Sequence, residues 1–447
     1  MAELWLPSLA GLIGTALFAF GLKRPAVRLG LVDEPDLRRK HHHGSVPLVG
    51  GLAIALGLTL SASLAGFPLL DSCALVAGAL LVVLVGVLDD LCELNVTTRF
   101  VAQIAAGILL TLAGDLVLDD LGAIGSTNRV FQLGVLAIPF TVFACVGIIN
   151  AMNMSDGVDG LAGALTATAL IGLLAVATLG DAHEDFTFIA LAFSCLLGFL
   201  VFNLRWPGQK AATVFLGDAG SGLLGFLLAW FVVKFAQGED RIMTPVTALW
   251  FLMMPLFDTA GVTLRRLMRG HSPFAADREH FHHVFMLAGF SPAQTTLSIT
   301  ALALTGTTIG LLGLYWHVPE GLMLLAFFGL FGAYFFGMTR AWRVMRFLRR
   351  SICRRQSPAM RRVAGRRRVS IRRQTNEANH WSTDRRMNHD RRTGMDQRRT
   401  ADRRGASDDT ENLSRSAATL SARPFGRFAR QHRERKLPRA VEREPYH

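Results

Sequence analysis

The chain has 447 residues, 51% of them apolar, and a formal net charge of +13, with a mean hydropathy of +0.34. Such a composition excludes an ordinary soluble enzyme of this length, because repeated apolar runs of about 18 or more residues mark segments that cross a hydrocarbon core. The five cysteines, Cys73, Cys92, Cys145, Cys195 and Cys353, form no CxxC pair, so they are expected to be packing residues rather than thiolate ligands or disulfides.

Eleven spans are predicted, near residues 4–22, 47–66, 72–89, 99–118, 133–150, 161–180, 186–204, 218–235, 244–263, 294–316 and 320–340. Backbone polar groups in lipid must be satisfied within the segment, so these are expected to be helices, and no alternating strand pattern competes. The expected fold class is an all-α integral membrane protein. The first span lacks a basic leader and reads as a retained helix, not a cleaved signal peptide. The loop between spans one and two carries Lys23, Arg24, Arg28, Arg38, Arg39 and Lys40; that between spans nine and ten carries Arg265, Arg266, Arg269 and Arg278. Loops of the other parity are nearly free of Lys and Arg, with Arg129 and Arg241 as exceptions. The positive loops predict an outside amino terminus and a cytoplasmic carboxyl terminus.

The chain divides into a polytopic membrane domain, residues 1–340, and an Arg-rich tail, residues 341–447. Most of the 47 Lys and Arg lie after Phe336, so the tail carries most of the excess charge. Arg340 to Arg368 suits anionic lipid head groups. A repeat follows, Asp384-Arg385-Arg386, Asp390-Arg391-Arg392, Asp396-Gln397-Arg398-Arg399 and Asp402-Arg403-Arg404. Few apolar residues accompany it, so disorder and charge contact with a membrane surface are expected, and no specific nucleic acid.

Polar segments between the spans carry the chemistry. In the first cytoplasmic loop, Arg38-Arg39-Lys40-His41-His42-His43 runs into Pro47-Leu-Val-Gly50-Gly51, a basic approach to a helix start that suits an anionic lipid or nucleotide. Asp89-Asp90 closes span three, where the helix dipole disfavours carboxylates; the pair points to a metal or substrate-base site, or to a solvated helix end. Asn150, Asn153, Asp156 and Asp159 recur every three residues, and helical continuation would turn all four into one cleft. Gly157 and Gly160 let backbone approach a ligand or break the helix. Gly217-Asp218-Ala-Gly220-Ser221-Gly222 opens span eight, where helix N–H groups suit phosphate and Asp218 implies a bridging cation. In the last cytoplasmic loop, Asp277-Arg278 precedes His280, His282 and His283. Three histidines suggest zinc, but no cysteine or acidic triad completes a tetrahedral set, and polarised imidazoles beside arginines favour a diphosphate.

Taken in order, these segments resemble the polyprenyl-phosphate N-acetylhexosamine-1-phosphate transferases (glycosyltransferase family 4) of the WecA type, with MraY of peptidoglycan synthesis more distant. The resemblance covers roughly residues 1–340. It rests on Asp-Asp, Asn-x-x-Asn-x-x-Asp-Gly-x-Asp-Gly, Gly-Asp-Ala-Gly-Ser and His-Phe-His-His. It implies transfer of N-acetylhexosamine 1-phosphate, by default GlcNAc 1-phosphate, from a UDP-sugar to undecaprenyl phosphate with release of UMP. That is the first lipid-linked step of O-antigen or related surface polysaccharide synthesis, at the cytoplasmic face of the bacterial inner membrane. The implied partners are a UDP-N-acetylhexosamine and undecaprenyl phosphate; anionic lipids, from the charge of the tail, and a second copy in a homodimer are further expected partners.

The match implies that Asn153 and Asp218 hold Mg2+, with Mn2+ as an alternative. Asp89 and Asp90 resemble carboxylates that accept a proton from the lipid phosphate or position it. Because a phosphate monoester is largely ionised near neutral pH, the base stays open between those roles. Asp156 and Asp159 resemble catalytic or nucleotide-orienting groups. Asn150, Arg278, His280, His282 and His283 are substrate-binding residues by the same match, and Lys40 with His41 or His42 lines the approach of lipid phosphate or nucleotide. The tail departs from the family pattern. A secondary transporter of an anionic solute is the rival reading, although transporters place such groups near the midplane and carry internal repeats. A scaffold working through its tail would leave the carboxylates without a purpose.

Overall fold

The computed structural model describes residues 4–33, 45–68, 72–125, 129–272 and 280–340. In chain order it contains α1 (Trp5–Leu29), a two-stranded antiparallel ladder of β1 (Val32–Asp33) and β2 (Val46–Pro47), then α2 (Gly50–Leu64), α3 (Cys73–Cys92) and α4 (Val96–Ile108). A π turn, Leu109–Ala113, extends α4, and a 3₁₀ turn, Gly134–Leu136, leads into α5 (Ala137–Ser155). Next come α6 (Leu161–Leu179), α7 (His183–Asn203) and α8 (Gly217–Ala236), followed by α9 (Pro245–Phe251), α10 (Met253–Met268), α11 (Phe281–Ala288), α12 (Pro292–Tyr315) and α13 (Glu320–Thr339). The protein is an all-helical multi-pass membrane protein apart from that ladder, whose two-residue strands are too short to give a visible alternation in sequence.

Two of the eleven expected spans depart from a long, continuous helix. Among the described residues nine helices are long and apolar enough to cross a membrane, or ten with the bent pair α9–α10 counted as one. The second expected span is α2, only 15 residues long, or about 22 Å at the usual helical rise. The ninth is broken by 83° between Phe251 and Met253. Pro255 accounts for the break, because it has no N–H to give the Phe251 carbonyl and its ring crowds that oxygen.

Helix α8 is the axis of the bundle, with 94% of its apolar window buried against 11% for α13. It packs against α3, α5 and α2. Lipid gives no hydrophobic drive to this packing, so close contact between small residues takes its place. A Cβ on Gly86 of α3 would strike the backbone of Ala219, and one on Gly51 of α2 the backbone of Gly220. The Gly50 and Gly51 N–H groups donate to the Phe215 and Leu216 carbonyls, at 2.9 and 3.0 Å. The start of α2, the end of α3 and the start of α8 are thereby drawn to one point.

Candidate active site

The adjacent carboxylates at the end of α3 serve different neighbours. Asp89 is 6% exposed; its Oδ2 lies 2.9 Å from an Arg99 guanidinium nitrogen and its Oδ1 accepts the Leu94 N–H at 2.7 Å. Asp90 reaches across to α8, where the Asp218 and Ala219 N–H groups donate to it at 3.0 and 3.4 Å. A carboxylate that its own helix dipole disfavours thus caps the positive end of a second helix. Gly217 adopts a left-handed φ of 73°, and a Cβ there would run into the Asp90 carboxylate.

Facing this pair, the Asn153 amide of α5 donates to the Asp218 carboxylate, and to Ser221 Oγ at 3.1 Å. Arg99 lies 3.8 Å from Asp218, between it and Asp89. Asn150, one turn earlier, donates to Gln103 Oε1 at 2.6 Å and to the Val146 carbonyl at 2.8 Å. Asp89, Arg99, Gln103, Asn150, Asn153 and Asp218 line one open cleft. Asp156, just past the end of α5, has its carboxyl held well above the usual range by burial and by the charges of Asp218, Asp90 and Asp159. Carboxyl groups therefore accumulate at one end of the bundle, with Arg99 beside Asp89 and Asp218.

Asp159 departs from the expected arrangement. Helix α5 stops at Ser155 and Gly160 adopts a φ of 78°, so the three-residue spacing is not carried around one helical face. The Asp159 carboxylate instead accepts from Arg205 at 2.7 Å and from the Ala212 N–H at 2.9 Å. Asn203 completes the joint, accepting the Gly160 N–H at 2.8 Å and donating to the Val214 carbonyl at 2.9 Å.

The histidines open α11. The His280 and His282 rings are nearly parallel, with centroids 5.6 Å apart, and His283 lies 4.3 Å from His282. A Cβ on Gly157 would strike the His282 ring, so the histidine segment abuts the Asn-Asp segment. His282 is 3% exposed; burial, with a push from His283, brings its pKa down to about 3. The expected positive polarisation is corrected at this residue: a neutral imidazole offers one N–H, not a charge. Lys40, His42 and Arg278 lie outside the described residues.

The structure thus brings Asp89, Asp90, Asn150, Asn153, Asp156 and Asp218 to one end of the bundle, with His282 against the same loop. Sequence reasoning missed Arg99, Gln103, Asn203, Arg205, Asp258 and Tyr334. A polar residue inside an apolar helix was the available signal for Gln103 and Asp258. Among the described residues no three His, Cys, Asp or Glu side chains form a ready-made metal cage.

A family model described as glycosyl transferase family 4 matches residues 72–236, from α3 to the end of α8. The chain is similar to the undecaprenyl-phosphate alpha-N-acetylglucosaminyl 1-phosphate transferase of Escherichia coli (strain K12), at 37% identity over 338 residues, 75% of this chain and 91% of that protein. The protein of the same name in Haemophilus influenzae is 38% identical over 343 residues, 76% of this chain and 95% of its own. That of Yersinia pestis is 36% identical over 336 residues, covering 74% and 91%.

Proposed function

We propose that this chain, which belongs to glycosyl transferase family 4, transfers N-acetylglucosamine 1-phosphate from UDP-N-acetylglucosamine to undecaprenyl phosphate. A phosphate oxygen of the lipid forms a bond to the sugar-linked phosphorus. The bond from that phosphorus to the bridging oxygen breaks, and UMP leaves with the electron pair. The observation that carries this reading is the gathering of Asp89, Asp90, Asp156 and Asp218 around Asn153 and Arg99, in a chain 37% identical to a transferase of that name.

Phosphoryl transfer asks a protein mainly to position groups and neutralise charge. Mg2+, or Mn2+, suits the donor set, since magnesium is commonly held by one or two carboxylates together with water and substrate phosphates. Asp218 would supply a carboxylate oxygen, and Asn153 its amide oxygen after a half-turn of the amide that now donates to Asp218. When bound, the ion would neutralise charge on the diphosphate. Arg99, beside Asp89 and Asp218, is placed to meet phosphate oxygens once those carboxylates have another partner. Asp90 fixes the start of α8, and with it Asp218. Asp89 and Asp156 remain as groups to position the lipid phosphate or take its proton. Asp159, paired with Arg205, orients the loop that carries Asp156. His280, His282 and His283 with Arg278 bind the diphosphate side of the nucleotide, and Lys40 with His41 or His42 lines the approach.

The same reading places the site at the cytoplasmic face of a bacterial inner membrane and assigns the chain to the start of a surface polysaccharide such as O-antigen. Residues 1–340 form the transferase, while residues 341–447 form an Arg-rich segment that contacts anionic lipid. The test is release of UMP by the purified full chain given Mg2+, undecaprenyl phosphate and, in turn, UDP-GlcNAc and UDP-GalNAc. Release with UDP-GlcNAc is expected. No release with either donor, together with uptake of an anionic solute by vesicles holding the protein, would favour a transporter.

A further inference from the structure

Asp258 lies in α10, apart from the carboxylate cleft, and no bond-making step there uses it. It is 6% exposed, yet its carboxylate takes three hydrogen bonds. Oδ2 lies 3.0 Å from His280 Nδ1, while Oδ1 accepts the Phe281 N–H at 2.9 Å and the Tyr334 hydroxyl at 3.0 Å. One buried carboxylate thereby ties α10 and α13 to the first residues of α11.

A carboxylate only accepts, so His280 must carry its proton on Nδ1. That fixes the ring and sets Nε2 at its opposite edge. From His280 the order passes to His282 by the parallel stacking of the rings, and from His282 to Gly157 in the loop that holds Asp156.

We propose that Asp258 is a positioning residue for the transfer, acting through His280: it sets the tautomer and direction of the imidazole that meets the diphosphate of the sugar nucleotide. This rests on the transferase reading. The alternative is that Asp258 merely bolts three helices together. Asp258→Asn separates the two, because its amide oxygen can still accept from Phe281 and Tyr334 while its NH2 cannot accept the Nδ1 proton.

With the full chain in detergent, UDP-GlcNAc and undecaprenyl phosphate as substrates and UMP release as readout, Asp258→Asn should lower kcat/KM for UDP-GlcNAc about 10- to 100-fold, the usual effect of losing a histidine's orienting partner. The KM for undecaprenyl phosphate should not move. In an Asp258→Asn/His280→Ala double variant the two losses should not multiply, leaving it within about twofold of His280→Ala alone. Tyr334→Phe removes a bond to the same carboxylate without touching His280, and should lower the melting temperature while kcat/KM stays within about threefold of the wild type. Should Asp258→Asn fail to fold, Asp258→Glu, which keeps an acceptor on a longer arm, carries the same cycle with His280→Ala. Losses that multiply with His280→Ala, or a Tyr334→Phe loss equal to that of Asp258→Asn, would assign Asp258 to structure alone and overturn the proposal. A wild type that releases UMP beside an Asp258→Asn of equal kcat/KM would sink only this inference; a wild type that releases none would sink both readings.

Discussion

Asp218 is the residue on which most of the site converges: Asn153 donates to its carboxylate, Arg99 lies 3.8 Å away, and its N–H is bound by Asp90. Asp218→Asn keeps the shape and removes the charge that a divalent ion would need. UMP release should become undetectable at ordinary Mg2+ and return only in part, if at all, at high Mg2+. Near-normal rates across a magnesium titration would remove Asp218 from the metal site. His282 permits a prediction with a sign. Its pKa falls from 6.5 to about 3 on folding, so between those values the unfolded chain binds the extra proton. Stability tied to neutral His282 is fully present above about pH 6.5 and is lost as pH falls toward 3. Wild-type protein in detergent should lose melting temperature over that window, and His282→Gln, which cannot take up a proton, should flatten part of the loss. Parallel curves for the two proteins would show that His282 does not titrate this way.

Close helix contact, at the scale of elements, is what holds the cleft in shape. Gly86 lets α3 touch the Ala219 backbone, and α3 carries both Asp89 and Asp90. Gly86→Ala should push the helices apart, cost about 1–3 kcal/mol through overpacking, and lower UMP release more than stability alone explains. Gly147→Ala in α5 is the control, since nothing lies within 4 Å of the added methyl; equal losses in the two variants would argue against the α3–α8 contact as the cause. The same elements mark what a sequence can disclose. Asp89-Asp90, the Asn-Asp run and Gly217-Asp218 stand out because carboxylates at the ends of apolar helices need partners or a task. Arg99 does not, and the single acid Asp258 in an apolar helix stands out without disclosing its role, because such residues gain meaning only from partners such as Asp89 or His280, brought to them by the packing of other helices. The expected span 244–263 passed over Pro255, the residue that marks the break after Phe251, and the short reach of α2 was hidden by the apolar residues that flank it.

Orientation is a property of the whole molecule, and charge argues it. The end of the bundle that holds Asp90 and Asp218 also holds Lys23, Arg24 and Arg28 in the last turns of α1, Arg99, Arg205, Lys210 and the Arg265, Arg266 and Arg269 set; Lys23 Nζ donates to Thr213 Oγ1 at 3.1 Å. At the other end, Lys234 is paired with Asp185 and Arg241 with Asp120, among further acids such as Asp181, Glu184 and Glu239. Positive loops remain in the cytoplasm, the compartment that supplies nucleotide sugars, so α3 should run inward from Cys73 to Cys92. Its 20 residues span about 30 Å, the thickness of the hydrocarbon core, and both cysteines are exposed, whereas Cys145 and Cys195 are buried. In single-cysteine variants on intact spheroplasts, a membrane-impermeant maleimide should therefore label Cys73. Cys92 and the tail residue Cys353 should react only after permeabilisation, and Cys145 and Cys195 in neither case. Labelling of Cys92 from outside, with Cys73 protected, would invert the molecule, put the carboxylate cleft in a compartment without its donor, and remove the transferase reading with it.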